Sequence, residues 1–270
     1  MLRTRHPTSP GSPNIRFWPT SGPGAGYAEY TAASEDGGSV GAVVDWSLYP
    51  DIAHASSLRL ALRSEFDQAG YDLDVLLPAA PGWRDVGAVV RNEDRNVDVV
   101  MGSQERVFTM QFWAPHGLHL ASGSTSELAA VGGSIHLWLG GALLRDLNAA
   151  WPFVQFSPWA EACERGKGIE YTWQRYVTNA QHAPHLTALH SFLAAAIREP
   201  RLRALYPFTS IGTLGFRPTV HHKRSIGLWV QPLGDGRYRV RGPGPREVGA
   251  ADAAGSVELA LTVLDALTDV

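Results

Sequence analysis

HGLHLASGSTSELAAVGGSIHLWLGGALLRDLNAAWPFVQF, the stretch from His116 to Phe156, decides the fold because it links the two kinds of secondary structure that the chain uses. Its pattern predicts the end of a strand, a polar turn and then an apolar helix from about residue 125 to Leu139. Gly140 and Gly141 end that helix, and a second helix follows until Pro152. A strand that leads directly into two apolar helices indicates a sheet covered by helices.

Four short segments with alternating polarity precede this stretch or overlap its start, and they predict an antiparallel meander. Polar or proline-containing turns separate them, as expected between strands that are joined by hairpins. In the third segment Phe108, Met110 and Phe112 alternate onto one face, which we expect the helices to cover. The segments are VGAVVR (86–91), NVDVVM (96–101), RVFTMQFW (106–113) and GLHLAS (117–122).

The chain after Phe156 contains more helices and then returns to strands. Apolar residues at helical spacing predict further helices in the region 157–199. FTSIGTLGF (208–216), SIGLWVQP (225–232) and RYRVR (237–241) then predict strands, and an apolar helix closes the chain. The predicted fold class is therefore α+β, with an N-terminal antiparallel meander, a helical middle and a C-terminal strand-strand-helix unit.

Composition divides the chain into three segments. Residues 1–45 are rich in Pro, Gly, Ser and Thr and have no sustained periodicity, so we predict a flexible leader. Residues 46–199 hold the predicted antiparallel sheet and its helices. Residues 200–270 form the predicted C-terminal α+β unit, which we expect to pack on the same body.

Charge and cysteine content exclude several classes of protein. The 270 residues include 23 Lys or Arg and 26 Asp or Glu, and the net charge is −3 without long runs of either sign. We therefore expect neither a nucleic-acid partner nor binding to an anionic membrane. The single cysteine, Cys163, excludes a disulfide within the chain. Because no apolar stretch has the length of a membrane span or the pattern of a secretion signal, we expect a cytoplasmic protein.

Several motifs, in order along the chain, carry a resemblance to a known family. They are Tyr49-Pro-Asp51, His116-Gly with LASGSTSELAAV, LLRDLNAAWPFVQF, and RLRALYPFTSIGTLGF followed by DGRYRVRGPGP. Over residues 46–268 the chain resembles an actinobacterial domain-of-unknown-function family labelled "natural product biosynthesis protein". The resemblance implies a role in or near secondary-metabolite pathways, including those of modified peptides. It implies no catalytic residue, because none of these motifs has an established chemistry.

The best polar site that the sequence offers is the loop around His221 and His222, which is rich in cationic and hydroxyl side chains. Such a loop can hold a carboxylate or a phosphate, although an ordinary solvated loop is the alternative. His116, Tyr206 and His222 are the predicted general acid/base residues, because imidazole and phenol groups exchange protons. Aromatic residues around a pocket would suit an apolar substrate, with a purely structural role in the core as the alternative. The predicted substrate-binding residues are Trp113, Trp138, Trp151, Thr209, Ser210, Arg217, His221, Arg224 and Trp229.

Two functional hypotheses follow from these observations. The histidines do not have the spacing of metal ligands, so we predict no metal and no tightly bound cofactor. The first hypothesis is a tailoring or accessory protein that acts on a small-molecule or peptide intermediate by acid/base chemistry such as cyclisation, elimination or isomerisation. The second is a non-catalytic binding module, either of the immunity type or for recognition of a precursor peptide. Both leave a homodimer open.

Overall fold

The structure is a computed structural model that describes residues 44–79, 81–180, 182–244 and 247–268. Except for its last two residues, the predicted leader 1–45 lies outside the described residues. The described part of the chain forms two antiparallel sheets with helices between and beside them. The predicted α+β class is confirmed, including its order of meander, helices, strands and closing helix.

The first sheet has six strands, which follow one another across it in chain order. All neighbouring strands are antiparallel, so the predicted meander is confirmed. Along β3 and β4 buried residues alternate with more accessible ones, because successive side chains of a strand point to opposite faces. The strands are β1 (Val75–Leu76), β2 (Gly87–Arg91), β3 (Asn96–Met101), β4 (Phe108–Ala114), β5 (Leu118–Thr125) and β6 (Val154–Phe156).

Helices cover one face of this sheet and form the first hydrophobic core with it. Ile135 and Trp138 of the apolar helix are fully buried, and the Trp138 ring packs edge-on against Phe112 at a centroid distance of 6.0 Å. That helix begins later than predicted because the preceding strand continues to Thr125, which pairs with Phe108. The helices are α1 (Pro50–Ala55), α2 (Leu58–Ala69), α3 (Leu128–Leu139), α4 (Leu144–Ala150) and α5 (Pro158–Glu164).

The second sheet has five strands, again antiparallel and in chain order. The closing helix packs on its last two strands and on a helix from the middle of the chain. The strands are β7 (Tyr206–Ser210), β8 (Thr213–Arg217), β9 (Trp229–Pro232), β10 (Tyr238–Arg241) and β11 (Glu247–Ala251). The helices are α6 (Gly168–Asn179), α7 (Pro184–Thr187), α8 (His190–Ala196), α9 (Pro200–Arg203) and α10 (Ala253–Thr268).

Two details of the second sheet differ from the predicted strands. The segment FTSIGTLGF is a hairpin that turns at Ile211 and Gly212, both of which have positive φ angles of 47° and 72°. Strand β11 follows the Gly-Pro-rich segment 242–245, after which only a helix was expected. The strands predicted around Trp229 and Tyr238 are confirmed, and they pair as neighbours.

Two separate groups of buried side chains divide the described chain. The first runs from Val44 to Ala160 and the second from Trp173 to Leu264. We call residues 44–165 the first unit and residues 166–268 the second unit. Helices α6 to α9 therefore share a core with the second sheet. The predicted segment boundary at residue 200 placed α6 to α8 in the segment 46–199, and that boundary stays a prediction. Within the described ranges, no helix combines the length and apolar character needed to cross a membrane.

Candidate functional site

The turn between β4 and β5 presents His116 to solvent in a strained conformation. His116 has a φ angle of 63°, and Gly117 follows with a φ angle of 72°. A side chain other than glycine in this left-handed region costs on the order of 1–3 kcal/mol, so the surrounding turn must hold it in place. The imidazole is exposed and lies between the predicted strands 106–113 and 117–122.

The loop between β8 and β9 brings two further histidines to this turn. The ring of His221 stacks on His116 with a centroid distance of 4.5 Å and an interplanar angle of 23°. The ring of His222 lies 5.4 Å from that of His221. The Nδ1 atom of His222 is 2.9 Å from the hydroxyl oxygen of Thr219, which fixes the orientation of its ring. We call His116, His221 and His222 the histidine cluster.

The histidine cluster joins the two units of the protein, and its surroundings shift the pKa of His221. Burial lowers the pKa of His221, and the charges of His116 and His222 lower it further. A lowered pKa keeps the His221 imidazole neutral at neutral pH, so it can accept a proton. Three imidazoles in contact can therefore offer a proton acceptor beside groups that become proton donors once protonated.

An open basin of 790 Å³ lies beside the cluster, between the β2–β3 turn and the β4–β5 turn. Its walls are formed by residues 91–96 and 114–117, so His116 belongs to its rim. Asn92 shapes the first wall: its Oδ1 accepts hydrogen bonds from the backbone N–H groups of Asp94 and Arg95 at 3.0 and 2.7 Å. Arg91 at the end of β2 is exposed, so it can reach a ligand in the basin.

Arg95, although it lines the basin, is held by the end of helix α3. Its Nη1 donates to the carbonyl oxygens of Trp138 and Ala142 at 2.9 and 2.7 Å, and its guanidinium lies 4.0 Å from the Trp138 ring centroid. A cation at the C-terminal end of a helix satisfies carbonyl groups that have no partner within the helix. Its role is therefore to stabilise the wall of the basin.

Tyr206, the third predicted acid/base residue, lies inside the protein rather than at the histidine cluster. Its side chain is fully buried, and its hydroxyl group makes no hydrogen bond within the described residues. Burial raises the pKa of Tyr206, and the polar side chains of Thr172 and Trp159 oppose that shift. The phenol therefore stays protonated at neutral pH and does not face solvent, whereas His116 and His222 are exposed.

The predicted substrate-binding residues of the second unit fall into different environments. Phe208 and Trp229 both pair with Gly215, so their side chains point to the same face of the second sheet. Residues two apart in a strand also share a face, so Ser210, two after Phe208, and Arg217, two after Gly215, lie on this face as well. Thr209 pairs with Leu214 and therefore lies on the other face, where it is a hydrogen-bonding partner of Tyr176. Burial raises the pKa of Tyr176, and the hydrogen bonding with Thr209 opposes that shift. Arg224 is exposed in the loop of the histidine cluster.

The three predicted tryptophans of the first unit also separate. Trp138 is fully buried in the core, and the Trp151 ring fills the space beside Gly133 of α3. Trp113 lies on the face of the first sheet that the helices leave uncovered, where its ring packs on His119 at a centroid distance of 4.8 Å. Of these three, Trp113 is the one nearest in sequence to the β4–β5 turn that carries His116.

Asp98 is a further residue of this uncovered face that sequence reasoning did not select. Burial raises the pKa of Asp98, and a hydrogen bond of 3.3 Å from Asn96 opposes the shift. Asp98 lies in β3 between the buried residues Val97 and Val99, and this alternation predicts that its side chain points to the uncovered face. The partial burial of the carboxyl group could not be read from that alternation. Among the described residues, no group of three or more His, Cys, Asp or Glu side chains is arranged to hold a metal ion.

Comparison with known protein families gives a match in the second unit. A family model described as "Family of unknown function (DUF6193)" matches residues 167–266. The match begins directly before α6 and ends inside α10, so it covers the second core and the loop with His221 and His222, but not His116. The second unit is therefore similar to this family over most of its length. Searches among curated proteins and among solved structures gave no match.

Proposed function

We propose that the protein is a tailoring or accessory protein of bacterial natural-product biosynthesis that binds a small-molecule or peptide intermediate at the histidine cluster. The observation that carries the proposal is the contact between His116 of the first unit and His221 of the second. The biosynthetic context rests on the resemblance of the sequence motifs, and a cytoplasmic location belongs to the same proposal. Its chemistry rests on the geometry of the imidazoles beside the basin.

Proton transfer is the chemistry that suits this arrangement. The neutral His221 imidazole takes a proton from a substrate carbon or heteroatom, and a protonated neighbour, His116 or His222, returns a proton at a second position. Removal and return at different positions is an isomerisation, and loss of a leaving group after proton removal is an elimination. Neither reaction requires a redox cofactor.

The experiment compares ligand retention by two matched double variants. The wild-type protein, His116→Ala/His222→Ala and His54→Ala/His182→Ala are each incubated with a small-molecule extract of the source bacterium and examined by native mass spectrometry. All four histidines are exposed, so both variants remove similar surface groups. We expect a mass retained by the wild type and the His54/His182 control but lost from the cluster variant. Equal retention by all three proteins would overturn the proposal.

A non-catalytic binding module is the second candidate, and the openness of the basin favours it. The basin is wide and joined to bulk solvent, whereas acid/base sites gain strength where water is excluded. Chromatography of the incubated extract distinguishes the two candidates. Disappearance of the retained compound with formation of a product supports catalysis, and recovery of the compound unchanged supports binding alone.

A further inference from the structure

The second sheet has one face turned away from the second core, and solvent reaches the part of it that holds Arg217, Trp229, Arg239 and Arg241. Leu214, Val230 and Val240 point into the core, so the residues that alternate with them point to the opposite face. Arg217, Trp229 and Arg239 on that face are half-buried, and Arg241 is exposed. We call the surface of Arg217, Trp229, Arg239 and Arg241, together with the buried Phe208 that Arg217 and Trp229 contact, the open face.

The centre of the open face is an aromatic pair. The rings of Phe208 and Trp229 meet edge to face, with a centroid distance of 5.3 Å and an interplanar angle of 79°. Gly215 lies between them in the register, and a Cβ atom there would come within 2.6 Å of Trp229 and 2.7 Å of Phe208. Glycine at position 215 therefore leaves the space in which the two rings meet.

Arginines surround the aromatic pair, and two of them have unsatisfied donors. The Arg217 guanidinium lies 4.2 Å from the Phe208 ring centroid. The Nε–H groups of Arg217 and Arg239 are buried and make no hydrogen bond within the described residues. Arg239 Nε lies 3.2 Å from an oxygen of Glu247 but without the geometry of a hydrogen bond. A buried donor without an acceptor is unfavourable, so an oxygen anion beside Arg217 would supply a partner that the described residues do not.

The distribution of charge in the protein favours an acidic ligand at this face. Residues 44–165 carry eight Arg or Lys and fifteen Asp or Glu, whereas the described residues of 206–251 carry six Arg or Lys and two Asp or Glu. The first unit therefore repels an acidic ligand, and the second sheet attracts it. A long nucleic acid would meet the acidic first unit as well, so a short acidic segment fits this pattern better.

We infer that the open face docks an acidic polypeptide segment that also carries an apolar side chain. The apolar side chain lies on the half-buried Trp229 ring, and neighbouring carboxylates pair with Arg217, Arg239 and Arg241. Trp, Phe and Arg are the residue types enriched at the centres of protein interfaces, and the arginine fork matches a carboxylate in two-point contact. The inference goes beyond the proposed function, because it uses none of the histidines of the cluster.

The test measures the binding of a labelled peptide by fluorescence anisotropy. The probe is a fluorescein-labelled dodecapeptide of three Glu-Leu-Asp-Gly repeats, and a peptide of Lys-Leu-Lys-Gly repeats and the oligonucleotide dT12 are the comparisons. We expect the wild type to bind the acidic peptide and Arg217→Gln/Arg239→Gln/Arg241→Gln to lose roughly tenfold or more in affinity, since hydrogen bonds between charged groups are the strong ones.

Matched variants separate a specific face from a general charge effect. Arg63→Gln/Arg84→Gln/Arg175→Gln removes the same charge from three exposed arginines elsewhere, and we expect its affinity to stay near that of the wild type. Arg241→Gln alone changes only an exposed side chain, so it keeps the test valid even if the triple variant does not fold. A His116→Ala/His222→Ala protein should bind the peptide normally, which distinguishes failure here from failure of the proposed function.

Four outcomes would overturn the inference. These are absence of binding to the acidic peptide, equal losses in both triple variants, no loss in Arg241→Gln, and tighter binding of dT12 than of the peptide. Light scattering tests a further outcome that would overturn the inference. If the wild type is a dimer that dissociates in Arg241→Gln, the open face binds a second copy of the chain instead.

Discussion

Replacement of Tyr49 by phenylalanine should destabilise the first unit strongly without a change in its packing. The side chain is fully buried, and its ring lies edge-on to Phe108 at a centroid distance of 5.6 Å. Its hydroxyl oxygen accepts a hydrogen bond of 2.9 Å from the backbone N–H of Val107. The hydroxyl hydrogen points among three backbone carbonyl groups, those of Gly102, Glu105 and Val107, at 2.9–3.0 Å. One phenol thus closes the loop between β3 and β4.

The magnitude follows from the groups that the substitution leaves without partners. Phenylalanine keeps the ring, so no cavity of ring size forms and the apolar contacts remain. The Val107 N–H loses its acceptor, and one carbonyl loses its donor. A lost hydrogen bond costs about 1 kcal/mol, and a buried donor without a partner costs about 1–3 kcal/mol, so we expect Tyr49→Phe to lower the free energy of unfolding by about 2–4 kcal/mol.

Urea unfolding followed by tryptophan fluorescence suits this measurement, because six of the nine tryptophans lie in the first unit. With a urea dependence of about 2 kcal/mol per molar, the midpoint should fall by roughly 1–2 M. Tyr71→Phe is the matched control: its ring stacks on His136, and its hydroxyl makes no hydrogen bond within the described residues. A loss for Tyr49→Phe no larger than that of the control would refute the reasoning.

Three further predictions concern packing, pH and thiol chemistry. Gly133→Ala should destabilise the first unit by about 1–3 kcal/mol, although alanine favours helices, because its Cβ atom would clash with the Trp151 ring. Thermal unfolding of the variant and the wild type measures this difference. Folding lowers the pKa of His221, so the unfolded chain binds its proton more readily. Stability should therefore rise with pH from the folded pKa up to about 6.5, and it should rise less in His221→Ala. Denaturant midpoints measured at several pH values check this prediction. Burial raises the pKa of Cys163 to about 12, so iodoacetamide at pH 8 should label the native protein far more slowly than the urea-unfolded protein; equal rates would contradict it.

The fold was predictable where its determinants are local. The alternation of Phe108, Met110 and Phe112 fixes the covered face of β4, and all three side chains are fully buried in the first core. The spacing of Ile135 and Trp138 likewise fixes the covered side of α3. These features follow from the periods of strands and helices, so they can be read from short windows of sequence.

The turn at Ile211 and the strand β11 were not predictable in the same way. A two-residue hairpin with positive φ angles normally uses Asn-Gly or Asp-Gly, whereas this one places a β-branched isoleucine at the first position. Strand β11 has the sequence EVGAA, whose glycine and alanines have low strand propensity, so its pairing with β10 rather than its own composition makes it a strand.

The candidate site depended on contacts that no local pattern contains. His116 and His222 were selected for their side-chain chemistry alone, and the stacking of His116 on His221 depends on how the two units meet. The surroundings of Tyr206 likewise include Thr172 and Trp159, which come from other parts of the chain. Sequence can therefore suggest which groups exchange protons, but the tertiary structure decides which of them meet.

The chain-order arrangement of both sheets has a consequence for how the protein folds. Within each described sheet, every strand pairs with the next one along the chain. The longest connection within the first sheet is the one that holds α3 and α4 between β5 and β6. Short connections lose little entropy when they close, and proteins dominated by such nearby pairings fold faster than those with distant ones. All six strands of the first sheet precede residue 157, so that sheet can assemble on the ribosome before the second sheet has been synthesised.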